Sequence, residues 1–101
     1  MVRYINLSPH TLNMVDVGDI PASGIVARVA EDRTPEGHIR LGGIIGLPDP
    51  EEGTVYVVAR PLAVAMALSG YTREDVVVVD RLVRNDAGVI IGASGFARIV
   101  I

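Results

Sequence analysis

Neither cysteine nor lysine occurs in this 101-residue chain. The first absence excludes disulfides, thiolate zinc sites and cysteine nucleophiles. The second excludes a Schiff base and leaves any loop of the G-x-x-x-x-G-K-[ST] type without its cation. No apolar run approaches the ~20 residues of a membrane helix. The N-terminal Met-Val-Arg-Tyr-Ile-Asn lacks the long apolar stretch of a signal peptide. A cytoplasmic protein that does not engage membranes is the expectation. Positive charge is also scarce: Lys+Arg total 9 against 12 Asp+Glu, for a net charge of −3. A generic nucleic-acid binder needs a basic surface to displace counterions, so that class is set aside. G-x-G-x-x-G, H-E-x-x-H and G-x-S-x-G are all missing. His10 and His38 have no ligand-like spacing to each other or to carboxylates. The sequence therefore implies neither a metal nor a cofactor.

Aliphatic side chains dominate what is present. Hydrophobic residues make up 50% of the chain, and the mean hydropathy is +0.42. Valine and isoleucine favour strands, because β-branched side chains pack well on a pleated surface. The length fits one β-rich domain over 1–101. So small a domain buries a modest share of its surface, and the surplus of apolar residues points to a homo-oligomer.

Glycine and proline divide the chain into short pieces. Strands are expected at 3–6, 11–16, 25–30, 39–47, 54–58 and 76–79, with a closing strand at 96–101. Gly42 and Gly43 fall inside the fourth of these, where glycine often marks a bulge. Segment 31–37 is polar and reads as an exposed loop. Residues 82–84 and 89–92 flank Asn85-Asp86-Ala87-Gly88, a hairpin connection with a glycine for the positive dihedral. Gly92-Ala-Ser-Gly95 reads as a flexible connection. The one clear helix is 61–69, with Pro61 at its first position and Gly70 where a left-handed cap belongs. Its sequence PLAVAMALS is apolar all round, which predicts burial either in a core or in an interface. Thr72-Arg-Glu-Asp75 has the spacing of a capping box and predicts a single turn. The fold class that results is mainly β: a small antiparallel sheet or partly closed barrel with one short buried helix.

Seven residues are candidates for a ligand site: Asn6, Ser8, His10, Arg28, Arg73, Asp75 and Arg84. Asn6, Ser8 and His10 share one polar turn. There His10 either meets a ligand, or acts as a base, or satisfies loop carbonyls. All nine cations are arginine, whose planar fork suits phosphate when several converge. A GC-rich genome accounts for the same count. With Tyr56 and Tyr71 nearby in sequence, a nucleotide-like ligand is conceivable, the ring stacking on a base. Asp75 reads polar edges in that scheme, or serves as a cap.

Asn6-Leu7-Ser8-Pro9-His10, Pro21-Ala-Ser-Gly24, Gly46-Leu-Pro-Asp-Pro50, Gly53-Thr-Val-Tyr-Val57, Arg73-Glu-Asp75 and Val83-Arg-Asn-Asp86-Ala-Gly88 occur in this order. The set resembles a group of small uncharacterised proteins from bacteria, phages and mobile elements. The resemblance spans nearly the whole chain. It departs at Ala59, where the group has serine. It implies no established activity. In size and build the chain is also similar to phage anti-defence proteins that sequester nucleotide signals without cleaving them, a likeness at the level of fold alone. The leading expectation is a non-enzymatic module binding a nucleotide-like or phosphorylated small molecule. A small hydrolase acting on a cyclic nucleotide, with His10 as base, and a purely structural assembly protein are the alternatives.

Overall fold

The computed structural model describes residues 2–100. Six strands and one helix follow in the order β1 (Arg3–Asn6), β2 (Arg28–Arg33), β3 (Ile39–Ile45), β4 (Thr54–Val57), α1 (Arg60–Leu68), β5 (Val76–Arg84) and β6 (Ile90–Ala97). The expected β-rich class is the one found: a curled four-stranded half-barrel sheet and a second, two-stranded antiparallel sheet. Among the described residues no helix is long and apolar enough to cross a membrane.

The larger sheet has the order β1-β4-β5-β6. Its first three strands run parallel and β6 is antiparallel to β5. α1 makes the crossover that two adjacent parallel strands require. Tyr4 on β1 and Phe96 on β6 stack with ring centroids 4.7 Å apart, although their strands are the two edges of the sheet. Three strand spacings in a flat sheet would separate those edges by about 14 Å. Strong curling is what brings the rings together.

Strand alternation divides the buried side chains between the two faces. Ile5, Tyr56, Val58, Val76 and Val78 join Leu62 and Met66 of α1 in the main core, with Val29, Ile44 and Leu47 of the β2–β3 region packed against it. Val57, Met14 and Ala93 are also buried but lie outside that cluster.

Local chemistry explains the ends of the elements. Pro61 occupies the first turn of α1. At the other end the Tyr71 N–H donates to Met66 O (3.0 Å) and the Gly70 N–H to Ala67 O (3.2 Å). With Gly70 at φ +76° this is a Schellman cap. At the 85–88 hairpin, Asn85 Oδ1 accepts from the N–H groups of Ala87 and Val89. Gly88 there takes φ +79°.

Several local expectations differ in detail from what is found. Residues 11–16 form no continuous strand; they make two isolated bridges, Leu12 to Ile20 and Met14 to Ala93. The polar segment 31–33 belongs to β2, because register with β3 holds it extended despite its exposure. The expected single turn does form before β5, closed by the Val76 N–H to Arg73 O at 3.4 Å, but no capping box makes it, since the Asp75 carboxylate is held by Arg73. The expected burial of α1 is found on one side within the chain, where Leu62, Ala63 and Met66 are covered, and Leu68 is 71% exposed. The final expected strand ends earlier, at Ala97, and its last residue lies outside the described ones.

Candidate functional site

Asn6 ends β1 and is 1% exposed. Its amide nitrogen donates to His10 O (2.7 Å) and Ile20 O (3.1 Å). Its amide oxygen accepts from the Ser8 N–H (2.9 Å) and the Ser8 hydroxyl (2.6 Å). Both polar ends of the side chain are thus engaged by the loop, which explains how an uncharged polar group sits in the core. Ser8 is buried in the same network. The His10 ring is exposed, and it is the backbone carbonyl of His10 that the network uses. The three residues come together, but as the frame of a turn.

Arg73 and Asp75 form a second cluster just before β5. The guanidinium meets the carboxylate with both arms, Nε to Oδ1 at 2.9 Å and Nη2 to Oδ2 at 2.6 Å. Nη1 donates to Pro48 O at 2.9 Å. The same group lies 5.8 Å from the centre of the Tyr56 ring, and the Tyr56 hydroxyl donates to Asp49 O. The pair is largely covered, with side-chain exposures of 10% and 18%. The hydrogen bond from Arg73 holds the Asp75 carboxyl below its ordinary range, outweighing the opposing effect of burial. The hydrogen bond to Asp75 likewise holds Arg73 above its ordinary value. This fork ties loop 48–49 to the sheet.

The remaining two candidates stand apart. Arg84 ends β5, and its guanidinium donates to Gly88 O at 3.0 Å within the hairpin. Arg28 begins β2 in the second sheet and lines a hollow that neither Arg73 nor Arg84 reaches. The arginines singled out in the sequence therefore do not meet in one clamp. Among the described residues no group of three or more His, Asp or Glu side chains converges to hold a metal.

A groove that the sequence reading missed runs between α1 and the β2–β3 hairpin. The hairpin face that enters the core at Val29 and Ile44 continues outward through Glu31, Leu41 and Arg33, and so overhangs the helix. Two adjoining hollows of about 470 and 650 Å³ lie beneath it, sharing Val29, Leu41 and Ala65. At the C-terminal end of α1 the groove reaches Ser69 and Tyr71. Near the start of α1 it reaches Arg28, Glu31 and Arg33. Gly42 and Gly43 together oppose Ala30, the bulge expected of a glycine pair inside a strand. They also line the groove and leave it open. The small side chain of Ala65 on the facing helix is the other half of that signal.

An apolar trough with a few charged groups at one end has the general make-up of a small-molecule site. No family model, no curated protein and no solved structure matches the chain.

Proposed function

We propose that this protein is a non-enzymatic binding module that holds a small nucleotide-like or phosphorylated molecule in the α1–hairpin groove. It would act in the cytosol as a homo-oligomer that sequesters its ligand. The observation that carries this reading is the groove's polarity. Its floor is aliphatic, Tyr71 stands at one end, and Arg28 and Arg33 stand at the other. Pro61 and Ser69, which line its two ends, are eight helical steps apart, about 12 Å, enough for a base and ribose with a phosphate beyond them. Arg33 is already paired with Glu31 at 3.4 Å. Arg28 makes no ion pair among the described residues, which makes it the main anion contact.

Titration of the full chain with mono- and cyclic dinucleotides, followed by backbone amide NMR, tests the reading. Shifts should gather at Leu41, Gly43, Ala65 and Tyr71. Arg28→Glu should weaken binding roughly 30-fold or more, by replacing attraction with repulsion. Ala65→Phe should abolish binding by filling the groove, with the fold retained. Failure of every nucleotide to bind, or binding indifferent to both substitutions, overturns the proposal. Turnover that disappears in His10→Ala would replace it with the hydrolase reading.

A further inference from the structure

The described chain exposes more surface than its mass accounts for. Its accessible area is 6900 Å², against about 5500 Å² for a folded monomer of 10.7 kDa. The excess of about 1400 Å² exceeds the ~800 Å² that each partner buries in a standard interface. The radius of gyration, 15.1 Å, likewise exceeds the ~13 Å usual for this length.

Two hairpins carry half of the large exposed aliphatic residues, and they differ in kind. On the β2–β3 hairpin, Ile39 and Leu41 are interleaved with Glu31, Asp32, Arg33 and Arg40. Charges placed this way discourage association. At the end of the β5–β6 hairpin, Val89, Ile90 and Ile91 form an unbroken apolar run, and Leu82 stands further along β5, opposite Ala93. Val15 and Val17 stand in the turn beside the other edge of β6. Met14 pairs with Ala93, and the Val15 N–H donates to Ala93 O at 2.9 Å. All six aliphatic side chains are at least 48% exposed. A run of three exposed β-branched or aliphatic residues at a hairpin end is a liability unless something covers it.

We infer that a second copy of this chain covers it, docking the ends of the two β5–β6 hairpins about a twofold axis. The charges of the hairpin favour a copy of itself as occupant. At the hairpin end Asp86 balances Arg84, so a patch facing itself carries no net repulsion. A twofold places acid opposite base as readily on one side as on the other. The area argument points the same way, since the surplus is of the size a stable dimer buries. The interface is independent of the ligand groove, which lies on other elements.

Sedimentation equilibrium of the unliganded full chain tests the inference. A dimer is expected at micromolar concentration, and Val89→Asp should raise its dissociation constant roughly 100-fold by burying an unpaired charge. Leu41→Asp, on the other hairpin, should leave it unchanged. A monomer throughout, or a dimer indifferent to Val89→Asp but broken by Leu41→Asp, overturns the inference. Hydrogen exchange of the unsubstituted chain at two concentrations gives a decision even if the variant fails to fold. Protection should increase with concentration at 15–17 and 82–91, and an increase located elsewhere counts against the interface.

Discussion

Asn6 donates to two carbonyls and accepts from both polar groups of Ser8, while Arg73 grips Asp75 with two arms and Pro48 with a third. Sequence alone marks these residues as unusual, and the structure gives the reason: each holds a loop to the sheet. A polar side chain that stabilises a turn and one that awaits a ligand look alike in sequence, because the difference lies in whether partners already surround it. Asp75 carries a consequence for pH. Its carboxyl titrates below the ordinary aspartate value when folded. The unfolded chain therefore takes up the proton first as pH falls. The stabilisation is fully present above about pH 4 and is lost as pH drops through the lower, folded value. Urea unfolding of the chain should accordingly weaken below pH 4, and Asp75→Asn should flatten that part of the profile. At neutral pH the same substitution should cost about 2 kcal/mol, because Arg73 loses its charged acceptor. An acid limb as steep in Asp75→Asn as in the parent chain would remove Asp75 from this role.

Turns and caps were the most legible elements. Asn85-Asp86-Ala87-Gly88 and Gly70 act through bonds to residues within five positions, so their chemistry is complete in a short window. Segments that depend on a distant partner were not. Residues 31–33 are polar enough to pass for a loop, and pairing with β3 makes them strand. Residues 11–16 have the opposite character: a strand-like composition with only isolated bridges. Gly92 shows why position outweighs local flexibility. It sits inside β6 rather than in a flexible connection, and a Cβ there would overlap the Asn13 carbonyl oxygen. The Ala93 N–H donates to that same oxygen at 2.9 Å. Gly92→Ala should push segment 13–15 off the sheet edge and lower stability by about 1–3 kcal/mol. Faster amide exchange at Val15 and Ala93, with the 85–88 turn unchanged, would identify the cause. An unperturbed Val15 amide would show that the close approach is not needed.

At the scale of the whole molecule, composition foretold a surplus of apolar surface, and the shape shows where it lies. The groove was not legible, because it exists only through the angle at which one hairpin overhangs the helix, and no local pattern encodes that angle. The Tyr4–Phe96 stack closes one side of the half-barrel, and the outline is elongated, 48 × 37 × 29 Å. A chain built this way has a small core for its surface, so much of its stability should come from association. For a dimer that unfolds to two free chains, each tenfold rise in concentration adds about 1.4 kcal/mol per dimer. Spread over two chains of this length, that raises the melting temperature by about 3–5 °C. The parent chain should show that rise at each tenfold step of a hundredfold concentration series, and Val89→Asp should melt at one temperature throughout. A parent midpoint that stays fixed over the series would mean that the folded chain bears its exposed aliphatic surface alone, and the stability of this fold would then rest entirely on the core between α1 and the sheet.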